Sequence, residues 1–126
     1  MKDIFVGDLQ PDLLIDNYVF CTFSQKKYGE LEHLSPIGFF QENEGITLVI
    51  TEKMAKFHNL SFEGVFKCIS LKLISTLSSV GLTKKIAILL ADKNISVNIY
   101  AGYYHDHIFV PLERADEAVK LLSESN

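Results

Sequence analysis

The chain has 126 residues, 48% of them hydrophobic, and a formal charge of −4. That is enough apolar material for one respectable core or two small ones packed together, and it excludes a disordered chain. The acidic balance, without any run of Lys or Arg, argues against nucleic acid, which needs a basic face to release counterions, and against an anionic membrane surface.

The N-terminal run Ile4-Phe5-Val6 is far shorter than a secretory or spanning segment, so a cytoplasmic protein is expected. Cys21 and Cys68 stand far apart with no Cys-x-x-Cys spacing and read as two reduced core thiols. Residues 1–16 form an extended lead-in broken by Pro11 and bounded by Asp16-Asn17. Tyr18–Phe23 is a β-rich run with the length of a buried strand. Lys26–Leu34 is polar, with Tyr28, Leu31 and Leu34 three residues apart, and supports two helical turns at most before Pro36. Ile37–Gln41 and Ile46–Ile50 flank Glu42-Asn43-Glu44-Gly45, a hairpin turn. Thr51 is a good helix N-cap, with Met54, Ala55 and His58 along one side of the helix that follows.

The second half repeats this order with a longer crossover. Val65–Ile74 alternates as a strand, with Ile69, Leu71 and Leu73 on one face and Cys68, Ser70 and Lys72 on the other. The segment 75–81 is a polar loop. Leu82, Ile86, Leu89 and Leu90 then form an amphipathic stripe, closed by Lys93 and Asn94 in C-terminal positions. Ile95, Val97, Ile99 and Ala101 alternate with Ser96, Asn98, Tyr100 and Gly102, giving a strand with one polar face. A tip rich in Tyr, His and Asp leads to a returning strand, Ile108-Phe109-Val110, stopped by Pro111. Ala115, Ala118, Val119 and Leu122 stripe a final helix opening at Glu113.

Strand, helix, strand, strand, helix therefore occurs twice. Val19-Phe20-Cys21-Thr22 parallels Phe66-Lys67-Cys68-Ile69, and Leu48–Lys53 parallels Phe109–Arg114. The expected fold class is α+β: tandem ferredoxin-like βαββα units with antiparallel sheets and helices packed on one face. The division falls at residues 1–61 and 62–126, the first half having the shortened crossover.

Leu77–Thr83, Leu90–Ile99 and Ala101–Pro111 together resemble the ACT domain, an amino-acid-binding module of ferredoxin-like plan. The chain is similar to small stand-alone bacterial proteins built of two ACT-like halves. Similar segments line amino-acid pockets in regulatory ACT domains of aspartate kinases and in ACT-built cytosolic arginine sensors. The resemblance thus implies a ligand site formed by Ser78, Ser79, Val80, Gly81 and Leu82, with Asn98, Ile99 and Tyr100 on the next strand and His105 at the hairpin tip. In aspartate kinases the position of Asn98 tends to be acidic, and Asn here weakens the case for a basic ligand. The family places such pockets between two ACT units, so the other wall comes from the first half or from a second copy.

The same loop has a physical rationale without the family. A loop entering a helix at Ser79-Val80-Gly81 presents backbone N–H groups and the positive end of the helix dipole to a carboxylate. Gly81 lets a ligand approach the backbone, and Asn98 offers both a donor and an acceptor. The plain alternative is a helix cap and a turn with no ligand.

His105 and His107 fall on one face of the returning strand and Asp106 on the other, so the three cannot ligate one metal, and no metal or cofactor is assigned. For the same reason a triad of Ser78 or Ser79 with His105 and Asp106 is badly aimed, and no catalytic residue is named. Tyr100, Tyr103 and Tyr104 read as interface or core-edge aromatics, and His33 and His58 as surface or helix-end residues. The expectation is a non-enzymatic regulatory sensor of a small amino acid or related carboxylate, homodimeric through a sheet edge or ACT–ACT faces. The alternatives are a protein–protein module without a small ligand and, behind it, a metal-binding protein.

Overall fold

The computed structural model describes residues 8–74 and 77–124. Contacts divide the chain into an inserted unit, Asp16–Phe66, and a flanking unit made of the described residues up to Ile15 together with Lys67 onward. The expected extended run Ile4–Val6 and two residues of the expected loop, Ser75 and Thr76, lie outside the described residues.

In the inserted unit, strand β1 (Pro11–Phe23) enters at Asp16 and pairs antiparallel with β3 (Ile46–Thr51), from Tyr18 against Thr51 to Phe23 against Ile46. Strand β2 (Gly38–Gln41) lies on the other side of β3, from Gly38 against Val49 to Gln41 against Ile46. The β2–β3 turn closes by reciprocal backbone bonds between Glu42 and Gly45. A side chain at Gly45 would put its Cβ 2.7 Å from the Phe23 carbonyl oxygen, so only glycine lets β1 come this close.

The crossover is two 3₁₀ turns, Tyr28–Glu30 and Glu32–Leu34, which meets the expectation of two turns at most. Helix α1 (Glu52–Phe57) is capped as the sequence predicts: the Thr51 hydroxyl accepts from the Met54 N–H at 3.1 Å. The period-2 pattern of β3 sends Ile46, Leu48 and Ile50 inward, where they meet Val19, Cys21, Leu31, Leu34 and Ala55 in one core. Burial pushes the Cys21 thiol above its ordinary value, so it packs as a small apolar group.

The flanking unit holds β4 (Phe66–Leu71, from Lys67), α2 (Leu82–Ala91), β5 (Asn98–Ala101), β6 (Asp106–Pro111) and α3 (Ala115–Ser123). Its strands run in the order β5, β6, β4, and the first part of β1 lies on the free side of β4. The extended lead-in read from the sequence therefore becomes a sheet strand here, begun by Pro11, which has no N–H to give. Leu9 is fully buried in this unit's core with Ile69, Leu71, Ile86, Leu90, Ile108 and the α3 stripe Ala115, Ala118 and Leu122. The Lys72 N–H donates to the Gln10 carbonyl, and the Lys72 ammonium lies 3.4 Å from Asp12.

Three strand limits differ from expectation. The strand beginning near Tyr18 starts at Pro11, and β4 stops at Leu71 rather than Ile74. Strand β5 begins at Asn98 rather than Ile95, because the end of α2 takes up the residues between. Asn94 adopts φ +59, the Ile95 N–H donates to the Leu90 carbonyl, and Ile95 drops into the core.

Candidate functional site

The ladder between β5 and β6 sorts the hairpin's side chains onto two faces. Ile99 pairs with Ile108 and Ala101 with Asp106, while Asn98 pairs with Phe109 and Tyr100 with His107. Directly paired residues share a face and alternate along each strand. Ile108 belongs to the core beneath α2 and α3 and Ile99 packs against it, so Ala101 and Asp106 lie on the helix-covered face. Asn98, Tyr100, His107 and Phe109 lie on the other.

On the helix-covered face, the end of the hairpin meets the loop that enters α2. A cleft of about 70 Å³ forms there, lined by Leu77, Ser79, Leu82, Thr83, Ala101, Gly102 and Asp106. Helix α2 begins after Gly81, which has φ +101 and supplies no side-chain cap, so the first-turn N–H groups receive no side-chain oxygen from it. The positive end of the helix thus borders a cleft whose strand wall carries a carboxyl group. Burial pushes the Asp106 carboxyl above the ordinary carboxylate value, against the opposing pull of His107. A carboxylate in that position gains from a cation placed beside it.

The Gly102 N–H donates to the His105 carbonyl at 2.9 Å and closes the tip. A Cβ at Gly102 would lie 2.7 Å from that same oxygen and 3.2 Å from His107 Nε2, so the tight tip requires glycine.

Of the residues named from the sequence, Ser79 and Leu82 line the cleft. Ser78, Val80 and Gly81 belong to the same loop and do not line it; Ser78 and Val80 are exposed. The structure does not bring Asn98 to the loop. One residue of alternation separates it from Ile99 and leaves it exposed on the opposite face, with Tyr100, whose ring meets Phe109 at 5.9 Å. Ile99 serves the core, and His105 turns its Nδ1 toward the Leu73 carbonyl at 3.1 Å. The strand residues that reach the cleft are Ala101, Gly102 and Asp106, one step further along the hairpin. Counting on from Ile99 by twos would have found Ala101, and the pairing Ala101 to Asp106 then follows from the turn.

The opposite face carries a contact that the sequence did not announce. Ser70 Oγ lies 2.8 Å from His107 Nδ1, and Ser70 is only 6% exposed. Burial pushes the His107 imidazole below its ordinary value, with His105 adding to the shift, Asp106 opposing it and Lys72 contributing least. The Cys68 thiol is pushed up to about 11 by burial, its hydrogen bond with Ser70 pulling the other way. The buried serine and the imidazole form a hydrogen bond on this sheet face. As expected, Asp106 and His107 point to opposite faces of the sheet. Among the described residues, no three of His, Cys, Asp and Glu converge as metal ligands.

Two ACT-domain family models match the chain, one over residues 3–67 and the other over residues 63–124. The chain belongs to the ACT-domain family. The two matched segments overlap at residues 63–67. A Vibrio cholerae protein of unknown function, VC0802, described as a possible transport protein, is 42% identical over 93% of this chain and 88% of its own, with a TM-score of 0.88. Atu0741 from Agrobacterium tumefaciens shares the fold at 12% identity, covering 95% of this chain and 90% of its own, with a TM-score of 0.75. The regulatory subunit of aspartate kinase from Thermus flavus shares it at 10% identity, over 98% of this chain and 99% of its own, with a TM-score of 0.68. No curated protein matches significantly. Among the described residues no helix is long and apolar enough to cross a membrane.

Proposed function

We propose that this tandem ACT protein is a non-catalytic regulatory binder of a small amino acid, held at the cleft between the 77–83 loop and the β5–β6 tip. The observation that carries the reading is the meeting of the α2 N-terminus with the Asp106 carboxyl in one cleft. The helix end suits an α-carboxylate and Asp106 suits an α-ammonium, so the two charges of a zwitterion find complementary partners. A cleft of about 70 Å³ takes such a head group, while a drug-sized molecule needs a cavity of about 300 Å³ or more. The ligand's side chain therefore projects outward, and a second copy of the chain supplies the remaining wall. The −4 charge and the fold's company of aspartate-kinase regulatory subunits support a soluble regulatory role in the cytoplasm, without nucleic acid, membrane or cofactor.

A thermal-shift panel of the common amino acids and their keto-acid analogues tests this. A ligand at about a hundred times its dissociation constant adds about 2.7 kcal/mol, a readily measured shift for a chain this small. One amino acid class should stabilise the protein, and the matching keto acid, which lacks the ammonium group, should not. A flat panel would reject the reading.

A second reading rests on β2, which lies at the edge of the inserted unit's sheet and exposes Phe39 and Phe40, the latter 67% exposed. Tyr28 stacks on Phe39 at a centroid distance of 4.5 Å. An aromatic edge strand of this kind is suited to pairing with another chain. Assembly that deepens with protein concentration and is abolished by Phe40→Lys, in a protein no amino acid stabilises, would favour it.

A further inference from the structure

The inserted unit carries a cleft of its own, about 450 Å³, between the second 3₁₀ turn and α1. Its lining is His33, Thr51, Lys53, Met54, Phe57 and His58. That volume lies within the range of about 300–1,000 Å³ typical of small-molecule sites. Met54 and His58 stand one turn apart, fixed by the bond from the His58 N–H to the Met54 carbonyl at 3.1 Å, and so share a helix face. Across the cleft, the His33 ring meets the His58 ring edge to face at 5.3 Å, and Phe57 meets His58 the same way at 5.0 Å. Phe57 is 78% exposed, a large apolar ring held out beside the cleft.

The polar groups are few and of one kind. The Lys53 ammonium has no ion-pair or hydrogen-bond partner among the described residues, and each imidazole carries at least one N–H in any protonation state. The carboxylate next in sequence, Glu52, is engaged by Lys56 at 3.2 Å and by the Asn17 amide at 3.4 Å. Thr51 keeps its hydroxyl on the α1 cap. The cleft therefore combines an aromatic and thioether wall with one uncompensated cation and nearby N–H donors.

From this lining we infer that the inserted unit binds a small aromatic monocarboxylate. Its ring lies against Phe57, Met54 and the imidazoles, and its carboxylate bonds to Lys53 and an imidazole N–H. One ammonium matches one negative charge, and edge-to-face rings offer a further planar ring favourable packing. This site lies in a different unit from the Asp106 cleft and takes a ligand with no need of an ammonium group, so either proposal can fail without the other.

Indole-3-acetate is the probe, because the chain has no tryptophan to mask its emission. The expected result is saturable binding to the full chain, followed by indole fluorescence. Lys53→Gln should weaken it about tenfold or more, the scale of a lost charge-assisted hydrogen bond. Phe57→Ser should weaken it as well, and Asp106→Asn should leave it unchanged. Lys53 and Phe57 are both exposed, so circular dichroism should show these variants folded as the parent. Absence of saturable binding would overturn the inference. So would equal binding of uncharged indole, or affinity that ignores both Lys53→Gln and Phe57→Ser.

Discussion

Ser70 and His107 meet at 2.8 Å across β4 and β6, on the sheet face away from the helices, and the imidazole is held below its ordinary value of 6.5 mainly by burial. As pH falls below 6.5, the unfolded chain takes up a proton at this histidine before the folded chain does, so His107 makes stability decline on acidification. Asp106, raised above its ordinary value, acts with the opposite sign: its ionisation costs the folded state, and stability is regained as pH drops through its folded value. Urea midpoints measured downward from pH 7.5 should therefore fall more steeply below pH 6.5 for the parent than for His107→Gln. Parallel profiles would show that the folded chain does not lower the His107 value.

The N-terminal segment belongs to the flanking unit's core through Leu9. Leu9→Ala should cost about 2–5 kcal/mol, as for other fully buried leucines, and native-state hydrogen exchange should show greater loss of protection at Ile69 and Ile108 than at Leu48 and Ile50. A loss below about 1 kcal/mol would mean that the segment does not support that core.

This placement marks the limit of what the sequence disclosed. Local patterns were readable: the Thr51 cap, the Glu42–Gly45 turn, the α2 stripe and the core face of β3 are each set by neighbouring residues. The destination of residues 8–15 was not, because pairing beside β4 joins residues more than fifty positions apart and leaves no local period. The site behaved similarly. The loop at Ser79 and Leu82 was legible from its entry into a helix, whereas the strand wall depends on register, and a shift of one residue exchanges Asn98 and Tyr100 for Ile99 and Ala101. The carboxyl of Asp106 was seen as part of a hairpin tip, and its partnership with the α2 end required the register that pairs it with Ala101.

The hairpin tip depends on Gly102. Any side chain there meets the His105 carbonyl oxygen at 2.7 Å, a backbone atom that cannot move without opening the turn. Gly102→Ala should destabilise the protein by about 1–3 kcal/mol, the usual cost of overpacking, and should weaken amino-acid binding by displacing Asp106. A denaturation midpoint equal to the parent's would contradict the tightness of this turn.

The most direct test of the binding account is an amide chemical-shift titration of the ¹⁵N-labelled chain with the amino acid that stabilises it. The account predicts saturable shifts at Ser79, Leu82 and Thr83, with accompanying shifts at Ala101 and Gly102, all of them lost in Asp106→Asn. Saturable shifts centred on Asn98 and Tyr100, or the same affinity in Asp106→Asn, would contradict it.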